Sequence, residues 1–272
     1  MAPETPGMCE SSSESRGPGA TQARATIIIP ARLGSARFPG KVLADRTGRP
    51  MIRHVYEAAC RSTTAARVVV ATDSERVRDA VRVFGGESVL TGEHPNGTSR
   101  LAEAARILAL EPDAVVVNVQ GDEPELEPTL IDAAAEALTR GPAPMATVAI
   151  PFHTGEDPHD PNLVKVVLRL DSTALYFSRA LIPFPRDAAD TNLRALRHVG
   201  LYAYRRSFLD TYLALPPTDL ERTEQLEQLR VLAHGHSIAV AVRDVPSFGG
   251  IDTPEQYEAF VRRWNTQPGR RG

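Results

Sequence analysis

With 272 residues, a net charge of −3 and two cysteines, the chain is long enough for one large α/β domain or two small ones, and it carries no disulfide or zinc framework. The near balance of acidic and basic residues argues against a broad nucleic-acid or membrane surface. No apolar run approaches the roughly 18 residues of a transmembrane helix and the first 24 residues hold no apolar signal-peptide core, so a cytoplasmic enzyme is the expectation.

Residues 1–24 are rich in Ser, Gly, Pro and Glu. That composition buries too little apolar surface to offset the entropy of ordering, so a disordered extension is expected, ahead of one α/β domain over 25–265. Thr26–Ala31 reads as the first strand. The loop that follows runs from Arg32 to Lys41 and holds three cations, Arg32, Arg37 and Lys41, next to a strand's carboxyl end. Backbone N–H groups around Gly34 and Ser35, with Arg32 and Lys41, suit a phosphate. The spacing matches neither a Walker A loop nor a dinucleotide fingerprint, and a solvated basic loop is the competing reading.

Pro50 opens a helix in which Met51, Ile52, Val55 and Ala59 share a face. A strand at 67–72 follows. Asp73 or Ser74 caps the next helix, whose buried stripe is Val77, Ala80, Val81 and Phe84. After a short strand at 87–90, the polar turn from His94 to Arg100 leads into another helix. Gly97-Thr98 there suits close approach of a flat ligand beside Arg100, and equally suits a plain helix cap with a surface arginine.

The stretch Val115-Val116-Val117-Asn118-Val119-Gln120-Gly121-Asp122-Glu123-Pro124 reads as a strand buried on both faces that ends abruptly in a turn. Ligands of open α/β sheets sit outside such carboxyl ends, which places Asp122 where it can meet a metal or a phosphate; a turn without function is the alternative. A helix over 128–140 and a strand over 145–150 continue the alternation, which argues a mostly parallel sheet with right-handed crossovers. Beyond residue 150, strands at 164–168 and 197–204 suggest a smaller mixed-sheet extension over 151–205, with a mobile loop at 187–195. A helix from Leu220 to His234, a strand at 238–242 and a final helix with Pro254 in its first turn complete the chain. Asp252 or Thr253 is the natural N-cap of that helix.

Several stretches recur in a telling order: Ile29-Pro30-Ala31-Arg32 with Arg37-Phe38-Pro39-Gly40-Lys41, Ala71-Thr72-Asp73, Gly97-Thr98-x-Arg100, the Gln120-Gly121-Asp122-Glu123-Pro124 turn, Tyr176-Phe177-Ser178-Arg179, Arg197-His198-x-Gly200-x-Tyr202, Leu226-Glu227-Gln228-Leu229-Arg230 and Ile251-Asp252-Thr253-Pro254. Over residues 26–264 this pattern closely resembles the 3-deoxy-manno-octulosonate (Kdo) cytidylyltransferase family. The resemblance implies a Rossmann-like α/β fold of the nucleotide-diphospho-sugar transferase type, with a mostly parallel sheet flanked by helices. It implies transfer of CMP from CTP to the anomeric 2-hydroxyl of Kdo with release of pyrophosphate, dependent on Mg²⁺, as sugar activation for lipopolysaccharide-type glycoconjugates. It also implies a cytoplasmic homodimer without nucleic-acid or membrane partners, and a dimer contact in the 151–205 extension.

Residue by residue, the resemblance makes Arg32 and Lys41 catalytic triphosphate ligands, with Ala31 and Arg37 beside them. Gly97, Thr98 and Arg100 fall on the cytosine side, and Gln120 lies between nucleotide and sugar. Asp122 and Asp252 become the metal ligands. Arg179, His198, Tyr202, Glu227 and Gln228 match the sugar site; Arg179 and His198 suit the sugar carboxylate, and Glu227 with Gln228 suit its hydroxyls. Asn96, Ser99 and Gln256 depart from residues common in the family, the first two near the cytosine turn. A cytidylyltransferase for a related 2-keto-3-deoxy acid, amino-substituted or sialic-acid-like, and a non-catalytic nucleotide-binding homologue remain as alternatives.

Overall fold

A computed structural model describes residues 24–34, 37–186 and 195–266. Residues 1–23 of the expected disordered extension and residues 187–194 of the expected mobile loop lie outside the described residues, as does Ser35.

β1 (Ala25–Ala31), β2 (Ala65–Thr72), β3 (Glu87–Leu90), β4 (Val115–Asn118), β5 (Met145–Pro151), β8 (Leu196–Arg205) and β9 (Ile238–Val242) form the main sheet in the order β3-β2-β1-β4-β8-β5-β9. Only β8 runs against the others on that path. β6 (Lys165–Leu168) pairs with β7 (Ala174–Ser178) and with the first residues of β8. Successive side chains of a strand point to opposite faces. Ile27 and Ile29 therefore pack with α1 (Met51–Cys60), α2 (Glu75–Val83) and α4 (Pro128–Arg140), and Ile28 packs with α3 (Gly97–Ile107) and α5 (Arg206–Ala214) on the other face. All four residues of β4 are buried, as expected for a strand covered on both sides.

The chain leaves β1 for β2 and β3 on one side and later places β4 on the other side of β1. That reversal opens a crevice at the carboxyl ends of β1 and β4, the usual ligand position in such sheets. The antiparallel β8 adds a second consequence. Asn118, the last residue of β4, pairs with Tyr202, so residues 196–200 lie beyond the end of β4, on the ligand side. An antiparallel strand thus delivers its start where its parallel neighbours deliver their ends.

Within the mixed-sheet extension expected over 151–205, β8 lies inside the main sheet and only β6 and β7 stand off its path. The Ala174–Ser178 stretch supplies β7. One sequence expectation needs correction. The single helix expected from Leu220 to His234 is two, α6 (Asp219–Glu224) and α7 (Gln228–Ala233), broken at Gln225 with φ +52°. A capping box between Thr218 and Glu221 starts the first of them. The last helix, α8 (Pro254–Thr266), packs Tyr257 and Phe260 with Met51 of α1.

Candidate active site

The crevice holds a cleft of about 490 Å³ lined from the β1 end by Pro30, Ala31 and the following Arg32 and from the β4 end by Gln120, Gly121 and Asp122. Gly121 is required here: a Cβ would stand 2.7 Å from the Pro30 carbonyl oxygen. The two loops pass in near contact, and this sets Asp122 at the cleft's floor.

Lys41 is the centre of the site. It begins a single 3₁₀ turn, Lys41–Leu43, after Gly40 at φ +71°, and it is 8% exposed. Its ammonium donates to Asp122 Oδ2 at 2.5 Å, Asp252 Oδ1 at 2.9 Å and the Ile251 carbonyl at 2.8 Å. Burial works to lower the Lys41 pKa, but Asp122 and then Asp252 outweigh it and the net shift is upward. Arg37 joins from the solvent side, 2.9 Å from Asp252 Oδ2. The structure thus brings together Lys41, Asp122 and Asp252, which are far apart in sequence. Sequence reasoning placed Lys41 in an open loop; it is buried and ion-paired instead.

The capping role considered for Asp252 belongs to other residues. Gln256 N donates to Thr253 Oγ1 at 3.4 Å, and Gln256 Oε1 accepts from Thr253 N at 3.0 Å and Asp252 N at 2.7 Å. This is a capping box, and it gives Gln256 a structural purpose. The Asp252 carboxylate is left to face the cleft.

The Lys41 ammonium shows that hard oxygen donors converge on one cation position: two carboxylates and a carbonyl. Among the described residues no third His, Cys, Asp or Glu joins them. Mg²⁺ characteristically takes one or two carboxylates and completes its shell with substrate oxygens and water, so this donor set fits it.

The opposite wall is the N-terminal end of α3. Gly97 and Arg100 line the cleft with His94 and Asn96. Asn96 caps the helix, accepting from Ser99 N at 2.9 Å, and Ser99 Oγ donates back to the Asn96 carbonyl at 3.0 Å. These two departures from the family pattern are therefore a cap, a job Asn and Ser do about equally well. Arg100 is 3% exposed and holds Asp73 at 2.5 Å and Thr91 Oγ1 at 2.8 Å, so it is no free surface arginine. Ser74 caps α2, which leaves Asp73 available for this pair. Thr98 does not line the cleft; its hydroxyl donates to Glu227 Oε2 at 3.3 Å. Glu227 itself lines the cleft and accepts a second bond from the Tyr212 hydroxyl at 3.0 Å.

A second cavity of about 290 Å³ lies on the far side of the Asp122 turn. His198, Tyr202 and Gln228 line it, together with Glu123 and Arg197. Asp122 and Glu123 thus divide between the two cavities, as do Glu227 and Gln228. Burial, followed by the Asp122 charge, pushes the Glu123 carboxyl up to about 8, with Arg197 acting in the opposite sense. Burial, then the Glu227 charge, drives the Tyr202 phenol well above its ordinary range, so it acts as a neutral hydrogen-bonding group.

Two sugar-site expectations change. His198 was expected to serve as a cation, but burial pushes its pKa down to about 3, so it is neutral at physiological pH. Thr147 Oγ1 lies 2.7 Å from the Leu201 carbonyl and 2.9 Å from His198 Nε2. The hydroxyl donates its one proton to the carbonyl, so His198 Nε2–H donates to the hydroxyl and Nδ1 is the acceptor nitrogen. Arg179 lines neither cavity. Its guanidinium donates to the carbonyls of Glu224 at 2.6 Å, Pro161 at 2.9 Å and Gln225 at 3.3 Å, which makes it a clamp on the break between α6 and α7.

The neutral imidazole has a measurable consequence. The unfolded chain protonates His198 near its ordinary value, about 6.5, and the folded chain only near 3. Unfolding therefore takes up a proton between those values, and this group withdraws stability as pH falls through that window. The His198 ring resonances are expected to stay constant between about pH 5 and 8; a midpoint near 6.5 would contradict the assignment.

The residues that sequence reasoning missed are Glu123, Arg197 and His94. Glu123 and Arg197 adjoin Asp122 and His198, and nothing in the local pattern signals that both neighbours reach a cavity.

The sequence profile described as cytidylyltransferase matches residues 26–238. A 3-deoxy-manno-octulosonate cytidylyltransferase of Syntrophobacter fumaroxidans is 53% identical over 86% of this chain and 94% of its own length. A protein of the same name from Pseudoalteromonas translucida is 48% identical over 86% of this chain and 95% of its own. A solved CMP:2-keto-3-deoxy-manno-octonic acid synthetase complexed with CTP superposes with a TM-score of 0.82 at 42% identity, covering 89% of this chain and 98% of that one. The chain belongs to the cytidylyltransferase family, among the 3-deoxy-manno-octulosonate cytidylyltransferases.

Proposed function

We propose that the protein transfers CMP from CTP to the anomeric 2-hydroxyl of 3-deoxy-manno-octulosonate. The anomeric oxygen forms a bond to the α-phosphorus as the α–β bridging P–O bond breaks, and pyrophosphate leaves. One observation carries the reading: two cavities of unlike character meet at a single turn, Gly121-Asp122-Glu123. The first combines Arg32, Arg37 and Lys41 with a helix N-terminus, and so offers positive charge to a triphosphate. The second offers neutral donors and acceptors, His198, Tyr202 and Gln228, suited to a polyhydroxylated sugar. The names of the relatives and the CTP bound to the solved structure support the same substrates.

Asp122 and Asp252 would hold Mg²⁺. Once bound, Mg²⁺ would neutralise charge developing on the triphosphate oxygens. Lys41 and Arg37, already paired with these aspartates, offset their mutual repulsion and hold the two carboxylates converged, and Arg32 stands exposed at the rim to meet the leaving pyrophosphate. Gln120, at the turn where the cavities meet, suits contacts to both substrates. Cytoplasmic residence follows from the need for CTP, and a homodimer from the family resemblance. The exposed apolar Leu170, Leu175 and Phe184 around the β6–β7 hairpin offer a surface for the second copy, which light scattering on the purified chain would test.

The test is a screen for pyrophosphate release with four nucleoside triphosphates against several 2-keto-3-deoxy sugar acids. Release is expected with CTP and Kdo together. A nucleotide-sensing homologue would bind CTP and release nothing, and a sialic-acid-like or amino-substituted acid outpacing Kdo would reassign the sugar.

A further inference from the structure

The sugar of the proposed reaction is an acid, so its cavity needs a cation. The two residues that the sequence offered for this task do not supply one: Arg179 donates to three backbone carbonyls away from the cavity, and His198 is neutral. Among the described residues that line the second cavity, Arg197 is the one cation. It is the second residue of β8, the strand whose antiparallel course carries residues 196–200 past the end of β4, and only 6% of it is exposed.

The guanidinium of Arg197 is held but not satisfied. Nη2 donates to the Ser247 carbonyl at 2.7 Å. Nε is buried with no hydrogen-bond partner, although it lies 3.3 Å from Glu156 Oε1 in an ion pair of poor geometry. No acceptor among the described residues takes Nη1. A buried donor such as Nε is costly when no acceptor completes it, and Nη1 is left open for a ligand in the cavity that Arg197 lines. The fork of a guanidinium also matches the two oxygens of a carboxylate, which a lysine does not. Glu123, across the same cavity, accepts no side-chain hydrogen bond from the described residues and is left for a sugar hydroxyl.

On the reading that this is a Kdo cytidylyltransferase, we infer that Arg197 binds the carboxylate of the sugar acid in the second cavity. The experiment compares Kdo with its C1 carboxamide, which keeps every hydroxyl and loses the charge, using the full chain with CTP and Mg²⁺. Wild type is expected to prefer the acid by roughly 10- to 100-fold in kcat/KM, the range of a charge-assisted contact. Arg197→Gln should erase most of that preference by raising the KM for the acid, with the KM for CTP within about twofold of wild type and the carboxamide nearly unaffected. Arg197→Lys, which keeps the charge but not the fork, should fall between. An acid preference left intact in Arg197→Gln overturns the inference, as does an equal loss for acid and carboxamide, which would mark a structural role. If Arg197→Gln does not fold, Arg197→Lys decides alone: a higher KM for the acid only supports the inference, and unchanged kinetics overturn it. Failure of wild type to release pyrophosphate with any such acid would instead defeat the parent reading.

Discussion

Asp122→Asn and Asp252→Asn are each expected to lower turnover by roughly 10²-fold or more while leaving the melting temperature within a few degrees of wild type. Asparagine keeps the side chain's shape and removes the charge that a divalent cation requires. The fold cost is small because each variant leaves Lys41 one carboxylate and the Ile251 carbonyl, and because Asp122 and Asp252 are partly solvated. If Asp252 only capped α8, asparagine would serve as well. Thr253 and Gln256 already form that cap, and this supplies the control. Thr253→Ala should cost about 0.5–2 kcal/mol of stability and keep most of the turnover. Near-normal activity of Asp252→Asn at low millimolar Mg²⁺ would remove Asp252 from the chemistry and leave Asp122 as the one carboxylate on the metal.

Lys41→Met should be the second severe variant, and it should act on fold and function together. Methionine fills much of the volume of the lysine stem but carries no charge, so Asp122 and Asp252 would face each other without a cation between them. A buried pair that loses one partner commonly costs about 3–5 kcal/mol; the 40% exposure of the Asp252 side chain keeps this case below that range. kcat/KM for CTP is expected to fall by roughly 10²-fold or more. Added Mg²⁺ should raise the melting temperature of the variant more than that of wild type, because a divalent cation can take the position the ammonium held. Equal Mg²⁺ shifts in the two proteins would show that the aspartates do not gather a cation once Lys41 is gone.

Where the sequence was informative, the reason is periodicity or a hard local signal. β3, α4 and β9 fall where alternation, apolar stripes and flanking breakers put them. Asp122 stood out because the apolar run Val115–Val117 breaks off into Gln120-Gly121-Asp122 at a strand's carboxyl end, where open α/β sheets bind ligands, although a plain turn fitted the same residues. What stayed hidden depended on tertiary partners. α5 starts without a side-chain cap, because Arg206 N and Ser207 N donate to the carbonyls of Ala114 and Pro112 instead. The break at Gln225 was masked because neither Gly nor Pro marks it between Leu220 and the apolar positions Leu226, Leu229 and Leu232; Arg179, some 45 positions earlier, holds it open. The place of β8 in the main sheet could not be read from a strand that looks the same at an edge or at the centre. For the site, the chain showed which residue types were present but not their partners. Arg179, Arg197 and Arg100 are all arginines in family motifs, and only the structure shows one clamping carbonyls, one left with open donors and one paired with Asp73.

The two cavities meeting at the Asp122 turn are proposed to join CMP to a sugar acid. The most direct measurement follows labelled phosphorus through the reaction, with CTP labelled either at the α-phosphate or at the γ-phosphate and with Kdo present or absent. All transferred α-label is expected in an anionic sugar nucleotide and all released γ-label in pyrophosphate, in one-to-one amount, with neither formed without Kdo. Release of inorganic phosphate from the γ-position, or turnover of CTP that does not depend on the sugar, would contradict this assignment.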